Sequence, residues 1–152
     1  MKILILELFC LSLLSGCVSA KEVECYNTSK SLITGLYDKF PINGDEVIEN
    51  KNRKILSNFF DKNLTNLLLK DQECSAKNNG ICNIDFNILI HSQDTPNKYK
   101  ILQDVDNLVT VKVEYHQYSE FINFVINKEY SCKKIGNIKY DDGSDLIRML
   151  QK

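Results

Sequence analysis

The chain has 152 residues, 43% of them hydrophobic and 26% charged, a globular mixture with room for one domain and one core, which excludes repeat arrays and multidomain enzymes. Nineteen Lys and Arg against twenty Asp and Glu give a net charge of -1, with the basic residues scattered along the sequence, so nucleic acid is set aside as a partner. Six Gly and two Pro argue against a disordered or low-complexity chain.

The amino end reads as a bacterial export signal. Lys2 supplies a minimal positive region, and residues 3–14 form an apolar run interrupted by Glu7 and Ser12, too short to span a bilayer. That run ends in Leu14-Ser15-Gly16-Cys17, which resembles the lipobox of bacterial lipoproteins. The resemblance implies removal of residues 1–16 as signal peptide and attachment of diacylglycerol to the Cys17 thiol, with a further amide-linked chain such as palmitate. More than one acyl chain gives stable anchoring to a membrane. Val18 after the lipidated Cys, in place of Asp, implies by analogy with lipoprotein sorting the outer membrane, facing the periplasm. The alternative is an ordinary secretory signal cut after Val18-Ser19-Ala20.

Residues 17–27 then read as a polar tether and residues 28–152 as a single domain. Thr28 or Ser29 caps a first helix in which Leu32, Ile33, Leu36, Tyr37 and Phe40 form one apolar stripe, ended by Pro41. Asn43-Gly44-Asp45 turns the chain, and residues 46–52 read as charged surface. Ile55, Leu56, Phe59 and Phe60 mark a second helix, and Asp61 caps a third that carries Leu64, Leu67 and Leu68 and frays near Cys74.

From Ile84 the pattern changes. Residues 85–89 read as a linking turn or helix, residues 92–97 as a loop around Pro96, and Tyr99 opens a strand that Asp106-Asn107 folds into a hairpin. Val109, Val111, Val113 and Tyr115 alternate with Thr110, Lys112 and Glu114, the mark of a half-buried antiparallel strand. A third strand covers residues 121–126, with a turn at Asn127-Lys128-Glu129. A fourth covers residues 130–140, with a bulge at Gly136, and Ser144 or Asp145 caps a last short helix. Helices followed by a meander of strands predict an α+β domain with N-terminal helices packed on one face of a curved antiparallel sheet.

Cys10 leaves with the signal and Cys17 is consumed by lipid, so Cys25, Cys74, Cys82 and Cys132 face an oxidising compartment with three pairings open to them. The short loop between Cys74 and Cys82 holds the Asn79-Gly80 turn, which favours that bridge and leaves Cys25 to pair with Cys132. Without a CxxC, and with His91 and His116 as the two histidines, no metal site is expected.

Several segments resemble the YbjP/YqhG family of bacterial envelope proteins of unknown function. They are residues 32–40 with Leu36-Tyr37-Asp38, residues 59–71, Asp85-Phe86 with Gln93-Asp94, and residues 121–126 followed by residues 130–140. The resemblance implies a cystatin-like/NTF2-like fold and brings no catalytic residues. Lys133 stands where Trp is usual in the family, and a Cys25–Cys132 bridge would replace that anchor by stapling the last strand to the first helix.

No GxSxG, SxxK, HExxH or P-loop pattern occurs, and no cofactor is called for. In an NTF2-like enzyme His91 or His116 would work with Asp94, Tyr99 or Glu114 inside the cone between sheet and helices. The expectation is instead a non-catalytic binding or accessory domain for an envelope protein, with Tyr115, Tyr118 and Phe121 as exposed interface anchors. Two alternatives remain: an immunity protein neutralising a toxin delivered to the periplasm, and a small-ligand-binding cone.

Overall fold

The computed structural model describes residues 24–152, so the segment read as a signal peptide, Cys17 and the start of the stretch read as a tether lie outside the described residues. Helix α1, Ser29–Lys39, starts where Thr28 Oγ1 accepts the Ser31 N–H at 3.1 Å, and it buries Leu32, Ile33, Leu36 and Tyr37. Helix α2, Arg53–Phe59, is capped by Asn52, and helix α3, Lys62–Asn78, by Asp61, whose Oδ1 accepts the Leu64 N–H at 2.8 Å. Between α1 and α2 the stretch expected to be charged surface contains a 3-10 turn, Val47–Glu49, and Val47 is buried in the core. Val47 and the partly buried Ile48, which packs against the same core, anchor it.

Four strands, β1 Lys98–Val105, β2 Leu108–Glu114, β3 Ser119–Glu129 and β4 Cys132–Tyr140, form a curved, unclosed antiparallel meander in the order β1-β2-β3-β4. The fold is α+β, as the sequence pattern predicts. Val109, Val111, Val113, Ile122, Phe124 and Ile126 face the helices and are buried. Asp106 and Asn107 both take positive φ, 49° and 63°, in the two-residue turn between β1 and β2. Helix α4, Leu146–Leu150, is capped by Asp145 and returns Leu146 and Leu150 to the core.

Three local expectations are corrected. Strand β3 runs on to Glu129, with Asn127, Lys128 and Glu129 paired to Lys134, Lys133 and Cys132, so the reversal falls at Tyr130-Ser131. Polar residues at a strand end look like a turn in sequence, but the ladder hydrogen bonds hold them extended. Helix α3 runs past Cys74 to Asn78 and stops at Asn79, whose left-handed φ of 50° ends it. The last residues assigned to the tether are part of the domain. The Lys133 N–H bonds the Tyr26 carbonyl at 2.8 Å, the Tyr26 ring stacks on Phe59, and a Cβ at Gly35 would collide with the Tyr26 phenol.

Gly136 is the extra residue between the pairs Val125↔Asn137 and Ile126↔Ile135. This bulge lets Ile135 and Ile138 both reach the core. Asp61 sits over it. The Asp61 N–H bonds the Ile135 carbonyl at 2.9 Å, and its Oδ2 accepts from Asn127 Nδ2 at 2.9 Å, which docks the α2–α3 junction on β4.

Candidate functional site

Side chains that carry chemistry gather at the two ends of the sheet. At one end, where β2 leaves and β4 finishes, lie the connection between β2 and β3 and residues 84–94. Residues 85–89 form no helix. Ile88, Leu89 and Ile90 are fully buried, and Asn87 and Ser92 close the segment as an isolated bridge. A buried irregular segment must have its carbonyls satisfied from elsewhere, and three tyrosines do this. Tyr140 Oη donates to the Ile88 carbonyl at 3.2 Å, Tyr37 Oη to Leu89 at 2.7 Å and Tyr115 Oη to Ile90 at 2.9 Å. Burial holds the Tyr37 and Tyr140 hydroxyls well above the ordinary phenol range, and pushes Tyr115 up to about 12.

Outside this plug, His91 takes a left-handed φ of 53° and stacks flat on Tyr140, with centroids 4.0 Å apart and Phe86 edge-on at 5.0 Å. Its Nδ1 lies 3.9 Å from Glu120 Oε2 and its Nε2 lies 3.8 Å from Asp142 Oδ2. Ser144 donates both its hydroxyl and its N–H to Asp142 Oδ1, at 2.6 and 2.8 Å, and so holds that carboxyl below its ordinary value. Asp141 Oδ2 accepts the Phe121 N–H at 3.0 Å. Tyr118 is 43% exposed, stacks on Tyr115 at 4.4 Å, and donates to Asp94 Oδ2 at 3.0 Å.

Of the three residues expected to be exposed anchors, Tyr118 is on the surface and Phe121 is half-buried on the sheet face away from the helices. Tyr115 is corrected: it continues the inward alternation of Val109, Val111 and Val113 and is 8% exposed. The residues considered for a catalytic cone do not converge. Glu114 lies on the outer face between Lys98 and Lys112, at 3.1 and 3.2 Å, and both ammonium groups lower its pKa. Tyr99 stacks on Tyr37 inside, and His116 is exposed beside Asn97 Nδ2 at 3.1 Å. The His91–Glu120–Asp142 grouping went unread in the sequence. It follows from register, since pairing Ile122 with Tyr140 sets residue 120 across from residue 142.

At the other end of the sheet the reversal at Tyr130-Ser131 overhangs a cleft of about 410 Å³ lined by Arg53, Ser57, Phe60, Lys62, Glu129, Tyr130, Cys132 and Lys134. Lys134 is buried, and its Nζ donates to the carbonyls of Ser57 and Asn58 at 2.6 and 2.8 Å, at the C-terminal end of α2. Burial lowers its pKa. Cys132 is bonded to Cys25, and Cys74 to Cys82. The first bridge ties β4 to the segment before α1 rather than to α1 itself. A wider groove of about 950 Å³, lined by Tyr26, Asp38, Lys54 and Asn58 among others, runs between that segment, α1 and α2.

Among the described residues no helix is long and apolar enough to cross a membrane, and no group of three or more His, Cys, Asp or Glu is placed to hold a metal ion. No protein-family model, curated protein or solved structure matches the chain.

Proposed function

We propose that this protein is an outer-membrane-anchored periplasmic lipoprotein whose domain acts as a non-catalytic binding or accessory module for an envelope protein. We also propose that its helices on a curved sheet are a cystatin-like/NTF2-like fold of the YbjP/YqhG type. The anchor reading rests on Leu14-Ser15-Gly16-Cys17 after an apolar run. Two disulfides fit an oxidising compartment.

One observation carries the binding reading: Tyr118 is exposed yet already ordered, stacked on Tyr115 and bonded to Asp94. An aromatic ring fixed before contact loses little entropy on binding, which is how interface anchors contribute most. Asp94 holds it, and Glu120, Asp141 and Asp142 lie at the same end of the sheet around His91 and Phe121, so the complementary surface is basic. The mouth between sheet and helices is filled by the chain's own Ile88, Leu89 and Ile90, which favours a docking surface over a ligand-holding cone.

The test is site-specific photocrosslinking in the native envelope. A photoreactive residue at position 118 or 121 should capture one defined partner, and one at Lys77 on α3 should not. Tyr118→Ala should weaken capture about tenfold or more, the range of an interface anchor. Complete loss of function from His91→Ala in a normally folded protein that still captures the partner through position 118 would overturn the reading in favour of an enzyme.

A further inference from the structure

Arg53, Lys62, Lys128 and Lys134 are scattered in sequence, but the fold gathers them around the Tyr130-Ser131 reversal. Arg53, Lys62 and Lys134 line the cleft beneath it, and Lys62 and Lys128 share the shallow depression beside it. Among the described residues none of the four stands in an ion pair. Arg53 Nη1 donates to the neutral Asn66 at 2.6 Å, and Lys134 spends two of its three protons on backbone carbonyls. Glu129 lines the cleft as its single carboxylate, and both oxygens of nearby Asp61 are engaged by Leu64 and Asn127.

Tyr130 projects from this basic rim. It is 94% exposed, the most exposed large apolar side chain among the described residues, and its φ is +58°. In a two-residue hairpin this first position favours glycine, so a bulky ring is held there against backbone strain. An exposed aromatic ring flanked by unpaired cations matches a phospholipid interface, where the ring sits among headgroups and the cations meet phosphate.

The bridge between Cys25 and Cys132 and the pairing of Tyr26 with Lys133 bring the entering chain to the base of this same hairpin. Cys17 is eight residues before Cys25, a reach of at most about 28 Å. From the position of the entering chain, the charge and the exposed ring, we infer that the β3–β4 hairpin end is a membrane-contacting face that seats on anionic phospholipid headgroups, with Tyr130 at the interface and Arg53, Lys62 and Lys128 on phosphate. The inference rests on the anchoring reading. It adds that the anchored domain is oriented, with the Tyr118 end held away from the bilayer.

The sequence contains no Trp, so one introduced indole reports alone. Full-length chain processed in the cell, carrying Tyr130→Trp, is reconstituted into vesicles of phosphatidylethanolamine and phosphatidylglycerol with brominated acyl chains. Its fluorescence should be blue-shifted and strongly quenched, whereas Tyr118→Trp should be neither. Arg53→Glu with Lys62→Glu, or phosphatidylcholine in place of both lipids, should remove most of the quenching. Flotation of the protein with the vesicles reads anchoring separately. A protein that floats with equal quenching at the two positions overturns the orientation and leaves the anchor standing. If the protein does not float, the anchoring reading fails, and the hairpin contact is then read by sedimentation with the same vesicles. There binding should fall roughly fivefold for each cation lost, and no preference for phosphatidylglycerol over phosphatidylcholine sinks the inference.

Discussion

The two ends of the sheet each present an exposed tyrosine, one among carboxylates and the other among cations. At the Tyr118 end the aromatic and carboxylate groups are engaged with one another: three tyrosine hydroxyls serve three consecutive carbonyls, Tyr118 holds Asp94, and Asp142 holds Ser144. At the Tyr130 end the ring stands alone on a strained residue above cations without carboxylate partners. Order at the first end comes from mutual hydrogen bonding. At the second it comes from the covalent Cys25–Cys132 tie and the ladder beneath it. One end is therefore built to keep its shape before meeting anything, and the other keeps free charge available.

The largest expected effect separates the ends by pH. Tyr37, Tyr140 and Tyr115 have folded pKa values above the unfolded phenol value near 10, so their contribution is fully present below about pH 10. It is lost as pH rises through 10 to 12 and beyond, because the unfolded chain ionises first. The part of the tyrosinate absorbance that comes from these buried rings should change together with circular dichroism in one cooperative step. Gradual ionisation of all tyrosines without unfolding would break the account of the plug.

Removing the long bridge with Cys25→Ser and Cys132→Ser should lower stability by about 4 to 5 kcal/mol in the chain-entropy model. Removing the short one with Cys74→Ser and Cys82→Ser should cost about 2 to 3 kcal/mol. Denaturant titration without reductant measures both, and equal losses would show that the tie is not what orders the Tyr130 end.

Single hydroxyl deletions sharpen the contrast further. Tyr37→Phe and Tyr140→Phe each leave a buried carbonyl unsatisfied and should cost about 1 to 3 kcal/mol, whereas Tyr118→Phe, at the surface, should cost under about 1 kcal/mol. The smallest effect has the opposite sign: Tyr130→Gly relieves the left-handed strain and should raise stability by about 1 kcal/mol. A loss of stability there would mean that the ring packs rather than waits.

Legibility from sequence followed locality. Val109, Val111 and Val113 announced their strand by period, Asp61 and Asp145 their helices by capping, and Gly136 its bulge by the slip between Ile135 and Ile138. What sequence could not reveal depends on partners far along the chain. Residues 88–90 look like a link because their hydrogen-bond donors are Tyr140, Tyr37 and Tyr115, and the nearest of these is 25 positions away. Lys134 gives no sign of burial, since the carbonyls it meets are 76 and 77 residues upstream. The Glu120–His91–Asp142 grouping needs the β3–β4 register and the plug together.

The Cys25–Cys132 bridge also sets how the domain answers mechanical load. Tension entering from the amino end passes through sulfur into β4, leaving the 106 residues between the two cysteines outside the force path to the carboxyl terminus. Beyond the bridge, residues 133–152 lie in line, and full extension of those 20 residues releases about 70 Å of chain. A pull against a partner gripping Tyr118 travels instead along β3 from end to end, with β2 and β4 hydrogen-bonded on either side. That stretch is already extended between the two points of load, so its covalent backbone carries the force and the ladders on either side keep it straight without having to break.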